Sequence, residues 1–223
     1  MKLPNPQDID RLIAESDLLQ RRRHWIFDMD GTLTVSAHDF DHMRRELGLP
    51  PDVPILEALH ALPEAEAAPL WEMLNDLEMY YAGKASIMLG VSELLQYLFD
   101  RECRLAILTR NTMPVVRHTL EACGIDHFFA ADYILDRDSC IPKPSPDGIN
   151  QLLGMWQAEA EDTVMVGDYL YDLEAGRGAG VATVHLDTRG DVDWSRYTDV
   201  RVESLGEIIR YLEGIRIAPD RDE

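Results

Sequence analysis

Six polar residues, far apart in the chain, are of the types that could do chemistry together. Asp28 and Asp30 stand two apart in HWIFDMDGTLT, and Thr109 closes the run CRLAILT. Lys143 lies between two prolines in IPKPSPDG, and Asp168 and Asp172 fall in VGDYLYD. Two carboxylates two apart, joined by a third from Asp168, make a hard oxygen-ligand set. Such a set suits Mg²⁺, which binds through one or two carboxylates and keeps its remaining sites for water and substrate phosphate. A carboxylate is also a competent nucleophile toward phosphorus. The metal, a lysine and a hydroxyl would then neutralise charge on the transferring group. Flanking prolines restrict the backbone around Lys143, so its ammonium is presented by a stiff loop.

These residues act together only if the fold gathers them. His24 to Met29 reads as a short buried strand ended by the Asp-Gly turn at 30–31. Strands are expected at 103–109 and 181–186, and a short one within 129–135. The run 162–168 is continuously apolar, as in a strand buried on both faces. Helices are expected over 8–20, 91–101, 113–122, 146–157, 170–179 and 204–213, and Gly124 stands where helices end. The last six residues read as loose. Repeated strand–helix alternation predicts an α/β fold, a parallel sheet with helices on both faces. Ligands of such sheets bind beyond the C-terminal strand ends, where all six residues fall or follow in a loop. Residues 35–86 differ. They hold five prolines, no convincing strand and two helical stretches, near 38–48 and 64–82, and read as an all-helical insertion. Two segments, 1–34 and 87–223, would form the core.

Composition narrows the partners. The chain has 223 residues, 46% hydrophobic, with 21 Lys and Arg against 41 Asp and Glu, a net charge of −20. That length fits one core domain with an insertion. A chain so acidic is repelled by nucleic acid and by anionic membranes, so neither is expected as a partner. An anionic substrate would have to be held by a metal and a few local cations. Three cysteines without a CxxC pair suit a reducing, cytoplasmic compartment. Neither a membrane-spanning run nor a signal peptide is visible.

Four ordered motifs, FDMDGTLT (27–34), ILTRN (107–111), IPKPSPDG (141–148) and VGDYLYDLEAGRGAGV (166–181), carry a resemblance over nearly the whole chain. It resembles the haloacid dehalogenase-like hydrolase superfamily, and within it the phosphoglycolate-phosphatase-like branch. The resemblance implies a Rossmann-like core with a helical cap inserted after the first motif. It implies Asp28 as nucleophile and Asp30 as general acid and base. Mg²⁺ would be held by the Asp28 carboxylate, the Asp30 backbone carbonyl and Asp168. Thr109 would hydrogen-bond the phosphoryl group, Lys143 would pair with nucleophile and phosphate, and Asp172 would support the metal site and orient Lys143.

Three positions depart from the pattern. Arg110 stands where the family often has Asn, and either adds an anion contact to the substrate or pairs outward. Tyr169 replaces a Ser or Thr beside Asp168, and Leu89 replaces a proline at the cap's return. Met29, Trp25, Trp71, Trp156, His185 and Cys140 read as packing residues, and His38 and His42 as a solvated face. Trp194 has no evident place. The implied activity is Mg²⁺-dependent hydrolysis of a small phosphorylated metabolite such as phosphoglycolate or a sugar phosphate, by a monomer or weak homodimer. Alternatives are a phosphomutase of the β-phosphoglucomutase type and a non-catalytic interaction module on the same scaffold. Ten acids against three cations in 35–86 mean that the insertion adds little attraction for a polyanion.

Overall fold

The computed structural model of the chain describes residues 14–35, 39–190 and 192–214. The expected helix over 8–20 is helical from 14 to 20, its earlier part and the final residues 218–223 lying outside the described residues. Six strands form one parallel sheet: β1 (His24–Phe27), β4 (Arg104–Leu108), β5 (Ile134–Leu135), β6 (Thr163–Gly167), β7 (Ala182–Leu186) and β8 (Val200–Val202). Their order across the sheet is β5-β4-β1-β6-β7-β8. Numbered within the sheet this is 3-2-1-4-5-6, the doubly wound arrangement, which reverses direction between β1 and β6. In register, Phe27 lies beside Ile107 on one side and Val166 on the other, so the three central strands end level.

Alternate residues explain the continuous apolar runs. On one face Trp25 and Phe27 of β1, Leu105 and Ile107 of β4, and Val164 and Val166 of β6 join a single core. That core is covered by helices α4 (Val91–Asp100), α5 (Met113–Cys123) and α8 (Leu205–Glu213). On the other face Ile26, Ala106, Leu108 and Met165 pack under α6 (Asp147–Trp156) and α7 (Leu170–Ala179). With apolar residues inward on both sides, the central strands β4, β1 and β6 are covered on both faces. The short strand expected within 129–135 is confined to its last two residues, and β8 was not anticipated. Its alternation, Val200 and Val202 inward with Arg201 outward, covers only three residues.

Between β1 and β4, ahead of α4, the described residues form three further helices, α1 (Phe40–Glu46), α2 (Ile55–His60) and α3 (Glu64–Ala82). They have their own apolar cluster of Met43, Leu47, Ile55, Leu59, Leu74 and Tyr81. Chain entry and exit are clasped by a two-stranded antiparallel pair, β2 (Thr34–Val35) with β3 (Ser86–Ile87), which the reading of this stretch as strand-free did not foresee. Proline punctuation explains the helix starts: Pro54 and Pro63 stand at the N-caps of α2 and α3, where a missing N–H leaves no helical bond unmade.

The helical stretch is tied to the core by an ion pair. The Arg137 guanidinium donates to both carboxylate oxygens of Glu78 on α3, at 2.9 and 3.2 Å, and also to the Asn75 side chain at 3.0 Å. Both charged side chains are less than a tenth exposed. Two charges removed from water hold each other well only as a pair, and losing one partner leaves the other stranded. Arg137→Met should therefore lower stability by about 3 kcal/mol, which is roughly 6–12 °C in Tm for a chain of this size. Calorimetry or denaturant titration checks this, and a change below about 0.5 kcal/mol, the scale of an exposed pair, would contradict it.

Candidate active site

Just past β1 the Asp28 N–H still donates to Val166 O at 3.0 Å, so the ladder carries Asp28 one residue beyond the strand. Met29 then turns its side chain fully into the core. Its carbonyl accepts the Leu33 and Thr34 N–H groups, both at 2.9 Å, and the Thr34 hydroxyl at 3.2 Å. This alternation puts Asp28 and Asp30 on the side away from the core. Both line a cavity of about 660 Å³ between the strand ends and the helical stretch.

Lys143 is the centre of the arrangement. Its side chain is 3% exposed, and its ammonium donates to Asp28 Oδ1 at 2.5 Å and to Asp172 Oδ1 at 2.6 Å. Asp172 is fixed in turn by the Tyr169 N–H, which donates to its other oxygen at 3.1 Å. The Thr32 hydroxyl lies 3.3 Å from Asp168. Oxygens of Asp28, Asp168 and Asp172 lie within 4.8 Å of one another. The Asp30 carboxylate is outside that group and accepts a hydrogen bond from the Asn111 side-chain amide. Thr109 is buried at the end of β4, and its hydroxyl accepts the Asn111 N–H at 3.2 Å, leaving its own proton to donate into the cavity.

Two glycines make this closeness possible. A Cβ on Gly31 would meet Asp168 Oδ2 at 2.2 Å, and Gly31 also has φ +82°, a conformation that side chains disfavour. A Cβ on Gly167 would meet the Asp172 side chain at 2.3 Å.

Electrostatics show what the cluster needs. Burial, then the charges of Asp172 and Asp168, push the Asp28 carboxyl well above its ordinary range despite Lys143. Burial and the Asp172 charge push Asp168 up to about 7. Burial alone would lower the Lys143 ammonium, but Asp172 and Asp28 overcome it and raise it, so it stays charged. Three crowded carboxylates thus face one ammonium, and a further cation would relieve them. Their oxygen donors fit Mg²⁺.

All seven residues expected to form the site, Asp28, Asp30, Thr109, Arg110, Lys143, Asp168 and Asp172, line this one cavity. The Arg110 guanidinium bonds Glu57 of α2, which lines the same cavity, and lies 5.2 Å from the Tyr171 ring. Asn111, the Asp30 partner, went unnoticed in the sequence, although it lies two residues past a strand-end threonine. Trp194, without a place in the sequence, lines the cavity against Tyr169 and His185. No local pattern marked it. Of the residues read as packing, Met29 and Trp25 are fully buried, Trp156 nearly so, Cys140 packs on the second core and Trp71 on the helical cluster, whereas His185, though buried, lines the cavity. His42 lies 3.9 Å from Glu46, and His38 falls outside the described residues.

The switch point of the doubly wound sheet thus carries clustered carboxylates and a buried lysine. The haloacid dehalogenase-like hydrolase family model matches residues 65–186, and the chain belongs to that family. It is 29% identical over 211 residues to a haloacid dehalogenase-like hydrolase domain-containing protein of Arabidopsis thaliana, covering 86% of this chain and 84% of that one. Over 94 residues it is 33% identical to the pyrophosphatase PpaX of Listeria welshimeri, 42% of this chain and 43% of the relative. The crystal structure of a predicted phosphoglycolate phosphatase from Haemophilus somnus superposes with a TM-score of 0.67 at 23% identity, covering 85% of this chain and 97% of that one.

The crowding gives a measurable expectation. Mg²⁺ at a hundred times its Kd should stabilise the wild type by about 2.7 kcal/mol, roughly 5–11 °C in Tm over an EDTA control. Asp168→Asn, with one repulsive charge removed, should melt at or above the wild type in EDTA and lose most of the Mg²⁺ shift. Equal shifts in both proteins would contradict the assignment of the cation to this cluster.

Proposed function

We propose that this chain is a Mg²⁺-dependent phosphatase of small phosphate monoesters that works through an aspartyl-phosphate on Asp28. The observation that carries the reading is the ammonium of Lys143 held between Asp28 and Asp172, with Asp168 beside them and Asp30 and Thr109 facing the same cavity. The pyrophosphatase name of the Listeria relative supports phosphate-ester or anhydride chemistry.

Asp28 attacks phosphorus and the ester oxygen leaves. Asp30 protonates that oxygen, then takes a proton from the water that hydrolyses the acyl phosphate. The amide of Asn111 orients Asp30 for both steps. Lys143 and the Thr109 hydroxyl donate to phosphoryl oxygens as charge builds on them. Arg110 is a further donor toward the substrate once Glu57 releases it. Asp28, the backbone carbonyl of Asp30 and Asp168 would hold Mg²⁺, with Asp172 supporting, and the ion supplies charge neutralisation at the phosphoryl group. Residues 35–86 act as a cap over the core of 1–34 and 87–223 and limit substrate size. The substrate is a small phosphorylated metabolite. The described cysteines are free, in keeping with a cytoplasmic enzyme; the proposed state is a monomer or weak homodimer.

Asp28→Asn should fold normally and lower kcat by at least ~10³ in a phosphate-release assay, and retention of a tenth of wild-type turnover would sink the reading. Asp30→Asn should cost about 10²–10⁴, falling harder on alkyl than on aryl phosphates, whose leaving group needs no proton. Equal losses on both would remove Asp30 from the acid role.

A further inference from the structure

The same cavity carries features that the phosphate chemistry does not use. Tyr169 follows Asp168 directly, lines the cavity and is 52% exposed. Its ring meets those of Tyr171 and Trp194 edge to face, with centroids at 5.1 and 5.6 Å and interplanar angles of 83°. Trp194 lies in turn 5.0 Å from the His185 ring. In an edge-to-face pair the rim of one ring covers one face of the other, and of these three rings Tyr169 is the one most open to water. Across the cavity the helical stretch presents Phe40, 47% exposed, and Leu56. Large apolar groups left in contact with water beside a charged reaction centre are informative, because burial elsewhere would favour them.

Charge points the same way. Lys143 is taken by Asp28 and Asp172, Arg110 by Glu57, and Arg44 by Asp41 at 3.0 Å. The other cation lining the cavity among the described residues, Arg189, is solvent-exposed. Asp52 and Glu57 line it too. A second anionic group on the substrate would compete with Glu57 for Arg110 and with Asp41 for Arg44, would find Arg189 out in solvent, and would meet carboxylates of its own sign. The cavity's volume is also in the range that encloses a whole small organic molecule, well beyond a bare phosphate.

We propose that the substrate's other half is an uncharged planar heteroaromatic group, making it a nucleoside monophosphate, and that the base packs against the cluster of Tyr169, Tyr171 and Trp194, face to face with one ring and edge-on to a ring set at right angles to it. The inference rests on the phosphatase reading above and narrows its substrate class. Aromatic platforms of this kind accept bases with little sequence preference, because every base has a π-face. The side chains of Tyr169 and Trp194 set specificity here through contact with the base, while the Tyr169 N–H that fixes Asp172 is kept in every variant.

The test compares two substrates with the same primary alkoxide leaving group. Values of kcat/KM are measured with Mg²⁺ for nucleoside 5′-monophosphates and for ribose 5-phosphate, so that only the base differs. The wild type should prefer the best nucleotide by about tenfold or more, the low end of what base stacking supplies. Tyr169→Ala and Trp194→Ala should bring that ratio down to about twofold or less, whereas Tyr169→Phe and Trp194→Phe should keep most of it. A wild-type ratio near one, or a preference that survives both alanine substitutions, would overturn the inference while leaving the phosphatase reading standing. Release of phosphate from neither substrate nor from any other monoester would overturn both.

Discussion

Three carboxylates and one ammonium within a few ångströms of each other are the constraint on which the rest of this structure turns. Asp28, Asp168 and Asp172 repel one another in a place with little water to screen them. Lys143 offsets part of that repulsion and is itself held charged by it. The group can be assembled only because β1 and β6 are neighbours that end level at the point where the sheet reverses. It can be assembled this tightly only because Gly31 and Gly167 carry no side chain. The covalent frame thus stores an unmet demand for positive charge, and a divalent cation or a phosphoryl group brought in with one would meet it.

The helical stretch completes the site from the other side, and its two ion pairs to the core differ in environment. Arg137 and Glu78 are buried and doubly bonded, so opening them leaves two charges without water. Arg110 and Glu57 are partly exposed at the cavity, where water can replace either partner at small cost. The first pair therefore serves as a fixed attachment and the second as a contact that can be exchanged. α3 is also seated directly on α5.

Much of this was legible from residues alone, for physical reasons that can be named. Continuous apolar runs such as Val164 to Val166 mark strands buried on both faces, and short polar residues at their ends mark the ligand side of a parallel sheet. Asp28, Thr109 and Asp168 announce themselves in that way. Asn111 did not, because its role depends on where Asp30 points, and no spacing rule encodes a contact across 81 positions. The Glu57–Arg110 and Glu78–Arg137 pairs were hidden likewise, since exposed and buried acids look alike on a helix. β8 has three residues, too few for a period to show, and the β2–β3 clasp has two on each side. Trp194 sits in a polar loop, and only the folded chain brings it beside Tyr169.

In the proposed reaction an oxygen of Asp28 bonds to phosphorus. The most direct measurement is to quench turning-over enzyme in acid, reduce it with borohydride and map the modified peptide by mass spectrometry. An acyl phosphate on Asp28 would be reduced to homoserine at that position, and the account expects this product in wild type, with none in Asp28→Asn. Absence of the modification at position 28 in enzyme caught during steady turnover, or its appearance at another aspartate, would contradict it.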